Sequence, residues 1–231
     1  MSEGKSFTLF HFNDVYNIEE REVEPVGGIS RFSTLVKQLR EEHPDLLLLF
    51  GGDALSPSLI SSVTRGGHIP PLFNALKVDY AVCGNHDFDF GTDRLRKMRG
   101  LCEFPWLLSN ILAKEGEEEE PLAGAEKYAI TTVNGVKVGI MGLAEEEWLE
   151  CLTRLPDSTR YIDQAEVGRS LCKKLRSEGC EVLIALTHSR EPQDTYLAQN
   201  CPDLDLIIGG MQQKTKLYMH SRHRNSDKDV I

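Results

Sequence analysis

Leu46-Leu47-Leu48-Leu49-Phe50-Gly51-Gly52-Asp53 is a short apolar run that breaks into two glycines and an acid. A run of this length reads as a buried strand, and the polar turn behind it lies where an α/β sheet puts its ligand-binding loops. Working outward, Phe7 to Phe12 forms a second β-rich run, Ile29 to Glu42 is amphipathic with helical spacing, and a helical stretch through Leu76 precedes the run Tyr80 to Val82. This alternation predicts α/β layering. Further on, Tyr128 to Val133 and Val136 to Met141 flank Asn134-Gly135. Both turn residues tolerate positive φ, so a tight hairpin is expected, and a purely parallel doubly wound sheet is disfavoured. Ala165 to Arg176 reads as a helix before the strand Val182 to Leu186, and Leu204 to Ile208 as a last buried strand closed by Gly209 and Gly210.

The chain has 231 residues, 40% of them hydrophobic, which suits one large domain better than two small ones. Its 26 basic and 36 acidic residues give a net charge of -10. Such a surface repels a phosphate backbone, so nucleic acid is not an expected partner, although a bound cation can still reverse the local potential for a small anionic substrate. Residues 1–6 carry no apolar stretch, and no run is long enough to cross a bilayer. The expectation is a soluble cytoplasmic protein with no membrane partner and an oligomeric state left open. Six scattered cysteines without a C-x-x-C pair point to free thiols. Glu115 to Glu120 is expected to be a solvated loop, and residues 211–231, polar and aperiodic, a disordered or aberrant tail after a domain over 1–210.

Four polar clusters follow the expected strands. They are Asn13-Asp14-Val15-Tyr16, Gly51-Gly52-Asp53, Gly84-Asn85-His86-Asp87 and Thr187-His188-Ser189. Singly, each reads as well as a cap, a turn or a hydrogen-bonded strand end. Together they supply carboxylate, amide and imidazole donors, a mixture suited to borderline divalent metals, and a carboxylate can bridge two ions. Two cations roughly 4 Å apart can activate a water and neutralise both the attacking and the leaving oxygen at phosphorus.

In this order, G-G-D, G-N-H-D and T-H-S resemble the calcineurin-like metallophosphoesterase superfamily. Phe12-Asn13-Asp14-Val15 with Gly27-Gly28-Ile29-Ser30-Arg31 downstream, the G-N-H-D-F-D-F-G stretch from Gly84 to Gly91, and Thr187 to Pro192 are similar to its 5'-nucleotidase-type members. The likeness runs from about Phe7 to Gly210. It implies two packed mixed β-sheets flanked by helices, with two divalent ions (Mn, Zn, Fe, Co or Mg) at the strand ends. By the same resemblance Asp53 bridges the ions, Asp14 serves the first, and Asn85 and His188 serve the second. His86, supported by Asp87, faces the leaving-group oxygen or the transition-state phosphoryl group. The implied reaction is hydrolysis of a small phosphate monoester, a nucleotide by the resemblance to 5'-nucleotidases.

The sequence departs from that pattern in three places. Tyr16 stands where D-x-H would put a histidine ligand, and a neutral phenol is a poor ligand at neutral pH. Met211 stands where G-H-x-H or G-H-x-Q would put another, leaving Gln213, with Tyr16, as a weaker candidate ligand, and His220 and His223 as further substitutes. The residues after Gly210 are also too few for a nucleobase-binding domain, so the expected chain is cut off at the last metal motif and incomplete at its C-terminus. Two readings follow: a metal-dependent phosphomonoesterase, or an impaired remnant that binds at most one divalent ion and acts without catalysis.

Overall fold

The computed structural model describes residues 5–115, 118–152, 154–209, 211 and 217–219. Its elements in order are β1 (Leu9–Phe12), α1 (Ile29–Glu42), β2 (Leu47–Phe50), α2 (Leu59–Thr64), α3 (Ile69–Leu76), β3 (Tyr80–Val82), α4 (Thr92–Arg99), β4 (Trp106–Leu107), β5 (Ile111–Glu115), β6 (Glu118–Pro121), β7 (Tyr128–Val133), β8 (Val136–Ala144), β9 (Arg160–Tyr161), α5 (Gln164–Ser177), β10 (Val182–His188), α6 (Glu191–Asn200), β11 (Leu206–Gly209) and β12 (Leu217–Met219). Strands β1-β2-β3-β4 make one sheet and β12-β11-β10-β8-β7 a second. The first is wholly parallel rather than mixed, with Leu49 opposite both His11 and Tyr80. In the second, β8, β10 and β11 are parallel, and β7 and β12 run antiparallel at its margins.

The two sheets pack face to face, and each carries helices on its outer face. Side chains alternate along a strand, so Leu47 and Leu49 enter the layer between the sheets with Val138, Ile140, Ile184 and Leu186. Leu48 and Phe50 instead meet Val36, Ile69 and Phe73 beneath the helices of the first sheet. On the far side, Met141, Leu183 and Ala185 meet Cys172, Leu175 and Leu197 of α5 and α6. Burial on both faces explains why these strands read as unbroken apolar runs. At Gly142 the sheets approach tightly: a Cβ there would lie 2.6 Å from the Leu107 Cβ and 2.7 Å from its carbonyl carbon. Asn134 and Gly135, at φ 48 and 73, form the tight turn between β7 and β8.

The expected loop over Glu115 to Glu120 is corrected where it is described. Glu118–Pro121 is a strand paired with β5 in a third, antiparallel sheet of order β6-β5-β9. An edge strand with its glutamates exposed needs no apolar alternation, because backbone bonds hold it and Arg160 of β9 reaches Glu119 at 2.6 Å. Within the stretch expected to be a tail, Leu217–Met219 runs antiparallel to β11 and pairs backbone groups that edge strand would otherwise leave open. Gln213, His220 and His223 lie outside the described residues. Among the described residues no helix is long and apolar enough to cross a membrane.

Candidate metal centre

Because β1, β2 and β3 run parallel, their C-terminal ends open on one edge, and each passes directly into a polar turn. The turns are laced together by backbone bonds: Gly51 N–H donates to Phe12, Asp14 N–H to Gly52 and Val15 N–H to Asp53. Asp14 and Asp53 both adopt left-handed backbone, φ 54 and 66, which aims their carboxylates at a common point. Neighbouring glycines make room. A Cβ at Gly51 would overlap the His11 ring, and one at Gly84 would overlap the Asp53 carboxylate. His11 is neutral there, its imidazole pushed down to about 4 by burial.

Asp87 fixes this arrangement from below. It is fully buried and its carboxylate accepts four backbone N–H bonds, from Asp53, Ala54, Leu55 and Gly84, at 2.9 to 3.0 Å. Burial and the neighbouring Asp53 push its carboxyl up to about 6, against the pull of those amides. Asp87 is therefore a positioning residue that welds the Gly-Gly-Asp turn to the G-N-H-D turn. It does not support His86 as the sequence suggested. Asp89 does so, at 3.0 Å from His86 Nδ1. Residues Asn85–Phe88 form a 3-10 turn, in which side chains three apart eclipse. The i,i+3 spacing of His86 and Asp89 was the available signal.

The structure brings Asp14, Asp53, Asn85 and His188 together. Ligand atoms of Asp14, Asp53 and His188 all lie within 4.8 Å of one another. His188, fully buried at the end of β10, sits with Nδ1 2.7 Å from the Gly51 carbonyl, so that nitrogen carries the proton it donates. Its Nε2 then faces Asn85 Oδ1 at 3.2 Å and Asp53 Oδ2 at 3.3 Å. Three electron-pair donors that converge in this way require a proton or a cation between them. Burial opposes charge on His188, but Asp53 and the Gly51 carbonyl outweigh it and push the imidazole up to about 9. Burial likewise opposes charge on Asp53, whose carboxyl is nonetheless held below the usual range by His188, His86 and Tyr16. Asp14, with less compensation, is raised by burial. The donor set fits a divalent metal on the chemistry of its atoms.

Tyr16 enters the same cluster. Its hydroxyl lies 3.0 Å from Asp14 Oδ1 and 2.9 Å from Asp53 Oδ2, and its ring meets His86 edge-on at 5.9 Å. Burial, then the two carboxylates, hold the phenol well above its ordinary range. Beneath His188, Thr187 Oγ1 donates to Asp194 Oδ1 at 2.8 Å, and the buried Glu145 accepts from Arg190 N and Nε at 2.9 and 2.7 Å. Burial pushes the Asp194 carboxyl up to about 7. Neither Asp194 nor Glu145 was legible in the sequence, since both depend on which side chains meet beneath the strand end.

Residues 7–210 match the model of the calcineurin-like phosphoesterase family. This chain belongs to that family. Among relatives of this phosphoesterase chain, human 5'-nucleotidase is 30% identical over 223 residues, covering 91% of this chain and 38% of the human protein. A probable 5'-nucleotidase from Treponema pallidum is 27% identical, covering 88% of this chain and 36% of that protein. Of solved structures, a 5'-nucleotidase precursor from Thermus thermophilus superposes with a TM-score of 0.79 at 24% identity, covering 89% of this chain and 41% of that one, which shows the shared fold. The phosphoesterase chain thus spans well under half the length of the curated relatives it matches. Its family uses divalent metals.

Proposed function

We propose that the cluster is a two-cation centre that hydrolyses phosphate monoesters, with nucleotides as the substrate class on the strength of the 5'-nucleotidase relatives. The observation that carries this reading is the convergence of Asp14, Asp53, Asn85 and His188 at one edge of two sheets, with His86 beside them at the rim. In the proposal Asp53 is shared by both positions, Asp14 belongs to the first, and Asn85 and His188 belong to the second. Divalent ions, when bound, supply Lewis acidity and neutralise charge on the phosphoryl oxygens.

The chain's own groups do the rest. Gly51 holds His188 in the tautomer whose Nε2 offers an electron pair. Asp89 holds His86 through Nδ1–H, so it is the imidazolium form, protonated on both nitrogens, that gives its Nε2 proton to the leaving oxygen, and a side chain 38% exposed is open to substrate. The His86 N–H donates to Asp53 Oδ1 at 2.8 Å, so the ring and the shared carboxylate are positioned by one turn.

A manganese-dependent turnover of an aryl phosphate, lost in His86→Ala while metal binding persists, is the expected result. The second reading, a non-catalytic remnant that binds at most one divalent ion, draws on the Tyr16 hydroxyl between Asp14 and Asp53. One bound ion and no turnover in a folded chain would favour it.

A further inference from the structure

Asp14 Oδ1 and Asp53 Oδ2 are the two oxygens on which a first cation would depend, and the Tyr16 hydroxyl stands within hydrogen-bond distance of both. A divalent ion bonded to two carboxylate oxygens lies about 2.0–2.2 Å from each. The Tyr16 hydroxyl, 3.0 and 2.9 Å from the same pair, is hydrogen-bonded to the two atoms that ion would need. The hydroxyl has one proton for two acceptors, so it donates to one carboxylate at a time as a neutral group, in competition with the cation.

The second position is arranged differently. Among the described residues the Tyr16 hydroxyl bonds to Asp14 and Asp53, whereas His188 Nε2 faces Asn85 and Asp53, so Asp53 Oδ2 is common to both positions. Tyr16 itself is half-buried, in edge contact with His86, and it lines none of the sheet cores. It can therefore turn outward without unpacking a strand.

We propose that Tyr16 is a latch on the first cation position, so that the centre loads at Asp53, Asn85 and His188 first and at Asp14 only when the phenol swings away. This rests on the metal-centre reading above. The latch makes the second binding step weaker than the first, and removing the hydroxyl strengthens that step while leaving the other nearly unchanged.

The test is a calorimetric titration of metal-stripped full chain with manganese(II), run in parallel on Tyr16→Phe, with circular dichroism to confirm that both are folded. The ring stays and only the oxygen goes, so the expected change is a weaker step tightened about 10- to 100-fold, the usual worth of hydrogen bonds to charged groups. In the wild type, the tyrosine ultraviolet difference signal should track the weaker step and not the tighter one. A weaker step lost in Tyr16→Phe would overturn the latch and make Tyr16 a ligand. Two identical titrations would overturn it and leave the metal centre standing, whereas no binding in either chain would overturn both.

Discussion

The first sheet delivers Asp14, Asp53 and Asn85 from three neighbouring strand ends, whereas among the described residues the second delivers His188, from the end of β10. On the first side the turns are held by backbone bonds that end on one carboxylate, Asp87. On the second the strand end is held by side chains, with Asp194 under Thr187 and Glu145 on Arg190. The orientation of His188 is nevertheless set from the opposite sheet, through the Gly51 carbonyl. One half of the centre is thus rigid by itself, and the other is accurate only while the sheets keep their relative position.

That contrast is easiest to break at Asp87. Asp87→Ala leaves four buried N–H groups without an acceptor and is expected to cost roughly 3–5 kcal/mol by urea unfolding. A loss under ~1 kcal/mol would mean that the backbone bonds alone hold the turns. Next in size, Asp53→Asn should weaken manganese binding on the order of 100-fold or more, and Asp14→Asn by about tenfold, since in the proposal Asp53 serves both cation positions and Asp14 only one. Equal losses in calorimetry would argue against a shared carboxylate.

Gly142→Ala probes the join between the halves. Its new methyl meets the Leu107 backbone, so a destabilisation of about 1–3 kcal/mol is expected. If the join matters for His188, metal affinity should fall with it, and unchanged affinity would uncouple the two. The smallest effect is a pH dependence at Asp194. Its folded carboxyl titrates near 7 against an ordinary value of 3.8, so between those values the folded chain keeps a proton that the unfolded chain has released. Stability from this group is therefore whole below about 4 and fades as pH rises toward 7. Asp194→Asn should gain on wild type across that window by on the order of 1 kcal/mol in thermal melts. A parallel pair of curves would show the carboxyl to be ionised throughout.

Much of the fold was readable because periodicity and turn chemistry agreed. The bounds of α1 and β3 and the Asn134-Gly135 hairpin follow from local pattern. Asp14, Asp53, Asn85 and His188 were legible for a related reason, since each stands directly behind an apolar run. What local pattern could not convey was contact at a distance. Asp87 looks like a partner for His86 in sequence, yet three-residue spacing in a 3-10 turn gives that place to Asp89. Glu118–Pro121 carries no strand signal because its partner supplies the pairing. Tyr16 reads as a missing ligand, and only the structure reveals that its hydroxyl bonds to both carboxylates.

The left-handed backbone at Asp14 and Asp53 has a practical consequence for anyone who evolves this chain in the laboratory. Glycine meets such dihedrals without steric cost, and non-glycine residues there give up on the order of 1 kcal/mol. A library ranked by melting temperature alone would drift toward glycine at position 14, where burial already disfavours the charged carboxylate, enriching well-behaved proteins from which the chemistry had been erased. Selection on this scaffold therefore has to screen for cation binding in every round.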